Sequence, residues 1–390
     1  MRQSTPSALR SPLTRCPLPH GARRAFSATC PCPRGALPVF LPPSKPELGS
    51  LLHTLNAQVL LPCHLTKAQQ KLVYRKENTA RLEAEPVEIT LGDVTLALEH
   101  LDPNRLPNRW TVLRSIVAQS ETREDWENVV RAMEGFQNAG VLINAPKQGF
   151  IVRRMGAHGM QHLVLKALQR AKATGLRMRE QDVVLQVLRC LYEPPAMSDW
   201  DDEETKKAFR MAKQVAELLE DPEHHATAPR LRVDAKHDFR GDPAFIAVPT
   251  ALAAVLALRH GADAADVKTL AGRLVAALQQ TDYNARLDDF ANRTAPTEQD
   301  FKSKWAQAKY VQEFANQVPE IIFITTALRT AKQVLNDDMP MATEAQQYES
   351  RSSQVLGQCL AAINTLQSRG GEILAKGVAE YVKQIAEKSP

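Results

Sequence analysis

No run of 18 consecutive apolar residues occurs in this 390-residue chain, so a membrane-spanning helix is not expected, and a peripheral membrane position stays open. Aromatic residues make up only 5% of the chain, which argues against a β-sandwich and suits helices packed on helices. Cysteine is scarce. Of six, Cys16, Cys30 and Cys32 crowd the N-terminus, and Cys63, Cys190 and Cys359 lie far apart. Neither a disulfide framework nor a zinc spacing emerges, and the last three read as reduced, packed thiols. Glycine-rich phosphate loops are missing as well: Gly135, Gly140, Gly149, Gly156 and Gly159 match neither GxxxxGK[ST] nor GxGxxG. There is no GxSxG elbow. His158 and His162 stand four apart on an expected helix, but no HExxH glutamate or third ligand accompanies them, and they read as surface or RNA-facing histidines. The pair His224-His225 reads as solvated in a long loop, and Asp288-Asp289 and Asp337-Asp338 as solvated helix ends. No catalytic residue, metal site or cofactor is therefore expected, and the chain does not read as an enzyme.

One further absence is informative. Residues 1–26 hold Arg2, Arg10, Arg15, Arg23 and Arg24 and no acid; the first carboxylate is Glu47. A basic, Ser- and Pro-rich start without acids is the pattern of a mitochondrial transit peptide. Arg24-Ala25-Phe26-Ser27 resembles a matrix-peptidase site, with the cut between Phe26 and Ser27. Removing residues 1–26 leaves 44 Lys and Arg against 44 acids, so the rest is formally neutral. The expected location is the mitochondrial matrix, with peripheral contact to the inner membrane open.

Residues 27–50 are proline-rich and read as continued disorder. Leu51 to Leu61 is apolar and fits a first strand or a short helix; Thr66 then caps a polar helix that Pro86 ends. Val87 to Leu98 alternates apolar and polar on each side of Gly92-Asp93, a small β-hairpin, which completes an N-terminal region over 51–108. From Arg109 the period turns helical. Trp110, Leu113, Ile116 and Val117 form one apolar face, and Trp126, Val129, Val130, Met133 and Phe136 the next. This helical region runs over 109–220. Within it Phe150–Met155 reads as a short helix, and Pro194-Pro195 as a linker into an acidic helix start. Residues 221–247 read as an exposed loop, and 248–390 as a C-terminal helical domain. That domain has an Ala/Leu-rich helix ending at His260-Gly261 and helices over 264–280, 298–317, 319–335, 343–368 and 372–388. The fold class is thus mainly all-α, stacked helical hairpins like an α-solenoid, with one small N-terminal β-hairpin.

Gly140 and Gly175 stop two helices 35 residues apart, and each is followed by a short connection into another helix. The two units, from about Trp126 to Tyr192, resemble divergent pentatricopeptide or tetratricopeptide repeats of mitochondrial proteins. The resemblance covers under a fifth of the chain and rests on the period and the glycine stops; no base-reading residue pair is carried over. The same stretch is the one charge anomaly. Lys147, Arg153, Arg154, Lys166, Arg170, Lys172, Arg177, Arg179 and Arg189 meet only Glu180 and Asp182, a local charge of +7. Cations spaced along stacked helices can track a phosphate backbone. The first eight are the candidate RNA-phosphate contacts. The expected function is a mitochondrial protein bound to RNA or a ribonucleoprotein in mRNA processing, stability or translation. A mitoribosomal subunit falls within that expectation, with protein partners on the C-terminal helices. The competing expectation is a scaffold or assembly factor for a respiratory complex, without RNA.

Overall fold

The computed structural model describes residues 36–84, 87–224, 238–294, 301–370 and 376–388. The presequence and the Phe26–Ser27 site lie outside them. α1 (Pro46–Thr54) has proline at its start, where a missing N–H costs nothing. It continues through a π-helical turn, Leu55–Leu60, into α2 (Leu61–His64), so Leu51 to Leu61 is helical. Thr66 caps α3 (Lys67–Tyr74) in a capping box with Gln69. The polar helix then breaks at Arg75, whose ψ of 122° is extended, and resumes as α4 (Thr79–Ala84).

The hairpin forms where alternation placed it: β1 (Glu88–Leu91) pairs antiparallel with β2 (Val94–Ala97), Leu91 opposite Val94. Gly92 opens the two-residue loop at φ +66°, a conformation that suits glycine.

α5 (Arg109–Gln119), α6 (Arg123–Asn138), α7 (Ala145–Ala157), α8 (Gln161–Gln169) and α9 (Ala171–Thr174) follow, then α10 (Gln181–Met197) and α11 (Asp202–Leu218). Both expected glycine stops occur. Gly140 (φ +69°) ends α6 in a Schellman motif, with its N–H on the Gln137 carbonyl and the Val141 N–H on the Phe136 carbonyl. Gly175 (φ +72°) ends α9 with its N–H on the Ala171 carbonyl. Packing skips sequence neighbours: α6 lies against α8 and α9, and α7 against α10. The Gln148 amide joins the two connections, donating to the Ile143 carbonyl at 2.9 Å and the Gly175 carbonyl at 3.1 Å.

The C-terminal part comprises α12 (Pro243–His260), α13 (Ala265–Gln280), α14 (Tyr283–Asn292) and α15 (Lys304–Gln317). α16 (Pro319–Leu335), α17 (Ala342–Gly370) and α18 (Lys376–Glu387) complete it. α12 is its axle, packed on α10, α11, α13 and α16, with residues Pro243 through Leu256 all buried. It is long and apolar enough to cross a membrane, but 78% of it is already buried against protein. Tyr192 of α10 ties the two parts together. Its ring meets Trp200 at 5.3 Å and Phe323 of α16 at 4.7 Å, and its hydroxyl bonds the Thr326 hydroxyl at 3.1 Å.

Four expectations need correction. The disorder assigned to 27–50 fails from residue 36 on, where the chain is a strap held by α6. Asn128 accepts from the Leu41 N–H at 2.7 Å and donates to the Leu41 carbonyl at 3.0 Å. Arg131 donates to the Val39 carbonyl at 2.5 Å, and Asn56 of the π-turn to the Pro38 carbonyl at 3.1 Å. Asp125 accepts from the Ser44 N–H and hydroxyl at 3.0 and 2.6 Å. Burial alone would raise the Asp125 carboxyl, yet these bonds and those from the Thr122 and Glu121 N–H groups hold it down at about 2. A proline-rich strap has few N–H groups to satisfy, so a handful of side chains suffices.

Second, Pro194-Pro195 is not a linker. Both prolines sit in the last turn of α10, where they withhold N–H groups from the Cys190 and Leu191 carbonyls and so weaken the helix just before its end, and the Ser198 N–H closes on the Pro194 carbonyl. The turn follows at Asp199 and Trp200, both with positive φ, which the Trp200 N–H holds by bonding the Pro195 carbonyl at 2.7 Å. Third, no boundary falls at 248. α12 runs across it, and one apolar cluster extends from Leu37 to Ile385. Fourth, His224 is buried, not solvated. Its Nδ1 accepts from the Met178 N–H at 3.2 Å, and its Nε2 contacts the Leu168 carbonyl at 3.1 Å. His225 lies outside the described residues.

Candidate nucleic-acid interface

α7 and α10 cross at two glycines. A Cβ on Gly149 would stand 3.2 Å from the Asp182 carbonyl, and one on Gly156 would stand 2.9 Å from the Cys190 Sγ. Their seven-residue spacing puts both on one face, while Lys147, Phe150, Arg153 and Arg154 elsewhere on α7 are half-buried. The glycines that form no phosphate loop thus serve packing. Cys190 is fully enclosed at this crossing, and burial pushes its thiol up to about 12, so it is an inert packing group.

The eight candidate cations divide by what surrounds them. Three are paired with acids from outside the segment. Arg170 reaches Glu134 of α6 at 2.6 Å, and Arg177 and Lys172 reach Glu223, beyond α11, at 3.2 and 3.9 Å. The other five, Lys147, Arg153, Arg154, Lys166 and Arg179, have no carboxylate oxygen within salt-bridge distance among the described residues. Lys166, on α8, is exposed; Arg179 lies half-buried in the connection into α10, its Nε shielded from water. The count of +7 therefore overstates the accessible charge, because a sequence window misses partners such as Glu134 and Glu223.

Lys147, Arg153 and Arg154 share α7. Its first turn holds no acid and its N-cap, Asn144, makes no side-chain cap bond. Lys147 Nζ lies 5.3 Å over the indole of Trp110 on α5, and the Arg153 guanidinium lies 5.8 Å over the ring of Phe150. Trp110 and Phe150 meet edge to face at 5.7 Å. Burial first, then the neighbouring Arg189 and Arg154, push the Arg153 guanidinium below its ordinary value, with Glu193 pulling the other way. The Glu193 carboxylate is engaged by Arg189 at 2.6 Å. Arg153, Arg154 and Arg189 therefore gather at this end of α7 around one carboxylate, Glu193.

The aromatic pair was missed at the sequence level, where Trp110 read as part of a buried apolar face. Both rings are half-buried. Phe150 and Arg153, three apart on one helix, were a local signal; the contact to Trp110, forty residues back, had none. His158 and His162 do not share a helix: α7 stops at Ala157 with His158 as its cap, Gly159 turns the chain at φ +74°, and His162 belongs to α8. The His158 ring packs 5.0 Å from Trp126, and burial, then Arg154, lowers its pKa below the ordinary histidine value.

The family described as Mitochondrial ribosomal protein mS27 matches residues 24–384. A curated relative, Small ribosomal subunit protein mS27 of Neurospora crassa, is 27% identical over 242 residues. That alignment covers 61% of this chain and 61% of the relative, less than two thirds of the relative's length. Because the family match takes in the strap, the hairpin and all the helices up to the greater part of α18, this chain belongs to the mitochondrial ribosomal protein mS27 family.

Proposed function

We propose that the chain is a component of the small subunit of the mitochondrial ribosome and acts in translation in the mitochondrial matrix as a structural part, not as a catalyst. The observation that carries this reading is the family match over residues 24–384. The cationic end of α7, with Lys166 on α8, is the surface we assign to ribosomal RNA, since its charges lack carboxylate partners among the described residues. The C-terminal helices are the surface for protein neighbours. The packing of α6 on α8 and α9, and of α7 on α10, also supports reading α6–α10 as two divergent repeats of the pentatricopeptide or tetratricopeptide kind. Gradient sedimentation of mitochondrial lysate tests the assignment. Comigration with the small subunit, lost after ribonuclease digestion, is expected. Comigration with an inner-membrane complex, indifferent to ribonuclease, would replace the reading with that of an assembly factor.

A further inference from the structure

Between α5 and α7 four half-buried side chains form a row: a cation over a ring, a second ring edge-on to the first, and a cation over the second. Lys147 lies over Trp110 at 5.3 Å, Trp110 meets Phe150 at 5.7 Å, and Arg153 lies over Phe150 at 5.8 Å. Neither cation has a carboxylate within salt-bridge distance among the described residues. Arg154 follows Phe150 by one helical turn, and the exposed Arg114 follows Trp110 by one turn of α5. Charge alone would suit any anion. Rings set between the charges are of use to an anion that carries flat apolar groups along its length, and a single-stranded nucleic acid is such a polymer.

We propose that Trp110 and Phe150 are a stacking platform for unpaired bases of an RNA strand, with Lys147, Arg153 and Arg154 holding the flanking phosphates. The proposal rests on the RNA-contact reading above and deepens it. A cation over a ring is a movable cover: its long side chain can swing off, and a stacked base takes its place on the ring. The displaced ammonium or guanidinium stays within reach of the backbone that brought the base. Every base has a flat face, so the platform accepts any sequence and selects for single strands, because paired bases keep their faces inside the duplex.

The test uses the full chain and two 12-nucleotide oligomers of equal charge, oligouridine and an abasic ribose-phosphate strand. Oligouridine is expected to bind about tenfold or more tightly than the abasic strand. It should also quench indole fluorescence, with the quench lost in Trp110→Leu and kept in Trp305→Leu, whose indole is 66% exposed elsewhere. Trp110→Leu combined with Phe150→Leu keeps apolar bulk against the core, and should erase the preference while leaving abasic binding unchanged. Equal binding of both oligomers by the unaltered chain overturns the platform and leaves the RNA contact standing. Binding of neither overturns both. A poly-glutamate peptide that competes as well as oligouridine reassigns the cations to an acidic protein and overturns the platform too. Should the double variant not fold, the two oligomers and the quench on the unaltered chain decide alone.

Discussion

In the C-terminal part Arg286 is locked, whereas in the N-terminal part Arg153 and Arg154 have no carboxylate within salt-bridge distance among the described residues. Arg286 of α14 reaches Glu320 of α16 at 2.5 Å and Asp242, the cap of α12, at 4.0 Å. Burial pushes the Glu320 carboxyl up to about 7 against the pull of Arg286. The cluster fastens three helices together where the sequence order of the helices departs from their spatial order. The α7 cations fasten nothing of that kind. The same contrast runs within the basic segment itself, between Arg170, Arg177 and Lys172, which are held by Glu134 and Glu223, and Lys147, Arg153, Arg154 and Lys166, which are not. Charge available to a partner is thus set by tertiary pairing, not by local composition.

The largest effect tests the contrast between halves. Arg286→Met leaves Asp242 and Glu320 buried without their cation and should cost about 3–5 kcal/mol in urea unfolding. Arg154→Ala should stay within about 0.5 kcal/mol of the unaltered chain. Comparable losses in the two variants would erase the distinction.

A middle-sized effect concerns the crossing of α7 and α10. Gly156→Val drives a side chain into the Cys190 Sγ and should cost about 1–3 kcal/mol. Cys190→Ala in the same chain should return part of that, measured as non-additivity in a double-mutant cycle; strict additivity would mean that the helices do not touch there.

Of similar size is the strap. Asn128→Ala removes both bonds to Leu41 and should cost about 1–3 kcal/mol, with faster proteolysis within residues 36–45. Unchanged proteolysis would mean that the strap is not held through α6.

The smallest effect is a pH dependence. Burial, the first cause, lowers the His224 pKa below 6.5. The unfolded chain then binds the proton more readily, so stability present above about pH 6.5 is lost as pH falls through the lower folded value. Protonation of Nδ1 also removes the acceptor for the Met178 N–H. Urea unfolding from pH 8 to 5 should show this decline, and His224→Gln should flatten it. A decline of the same slope in the variant would place its source elsewhere.

Much of the helical grammar was legible in the sequence, because capping and glycine stops are local. Thr66, Gly140 and Gly175 sit where their chemistry required, the hairpin turns at Gly92, and α16 spans Pro319–Leu335 as its apolar period indicated. What was not legible depends on distant residues. The strap looked disordered because its prolines hide the fact that Asn128 and Asp125, more than eighty residues on, supply what its backbone needs. The glycines of α7 looked scattered until α10 was laid across them. Three of the eight candidate cations lost their standing to acids outside the window, and the Trp110–Phe150 pair could not be seen from either residue's own surroundings.

Crosslinking of RNA to the protein in intact mitochondria, compared between two neutralised variants, tests the central claim most directly. One carries Lys147, Arg153, Arg154 and Lys166 changed to Gln; the other carries Arg170, Lys172 and Arg177 changed to Gln. The account predicts that crosslinks fall at least tenfold in the first and stay near the unaltered level in the second. Loss in the second with retention in the first, or equal crosslinking in both, would contradict it.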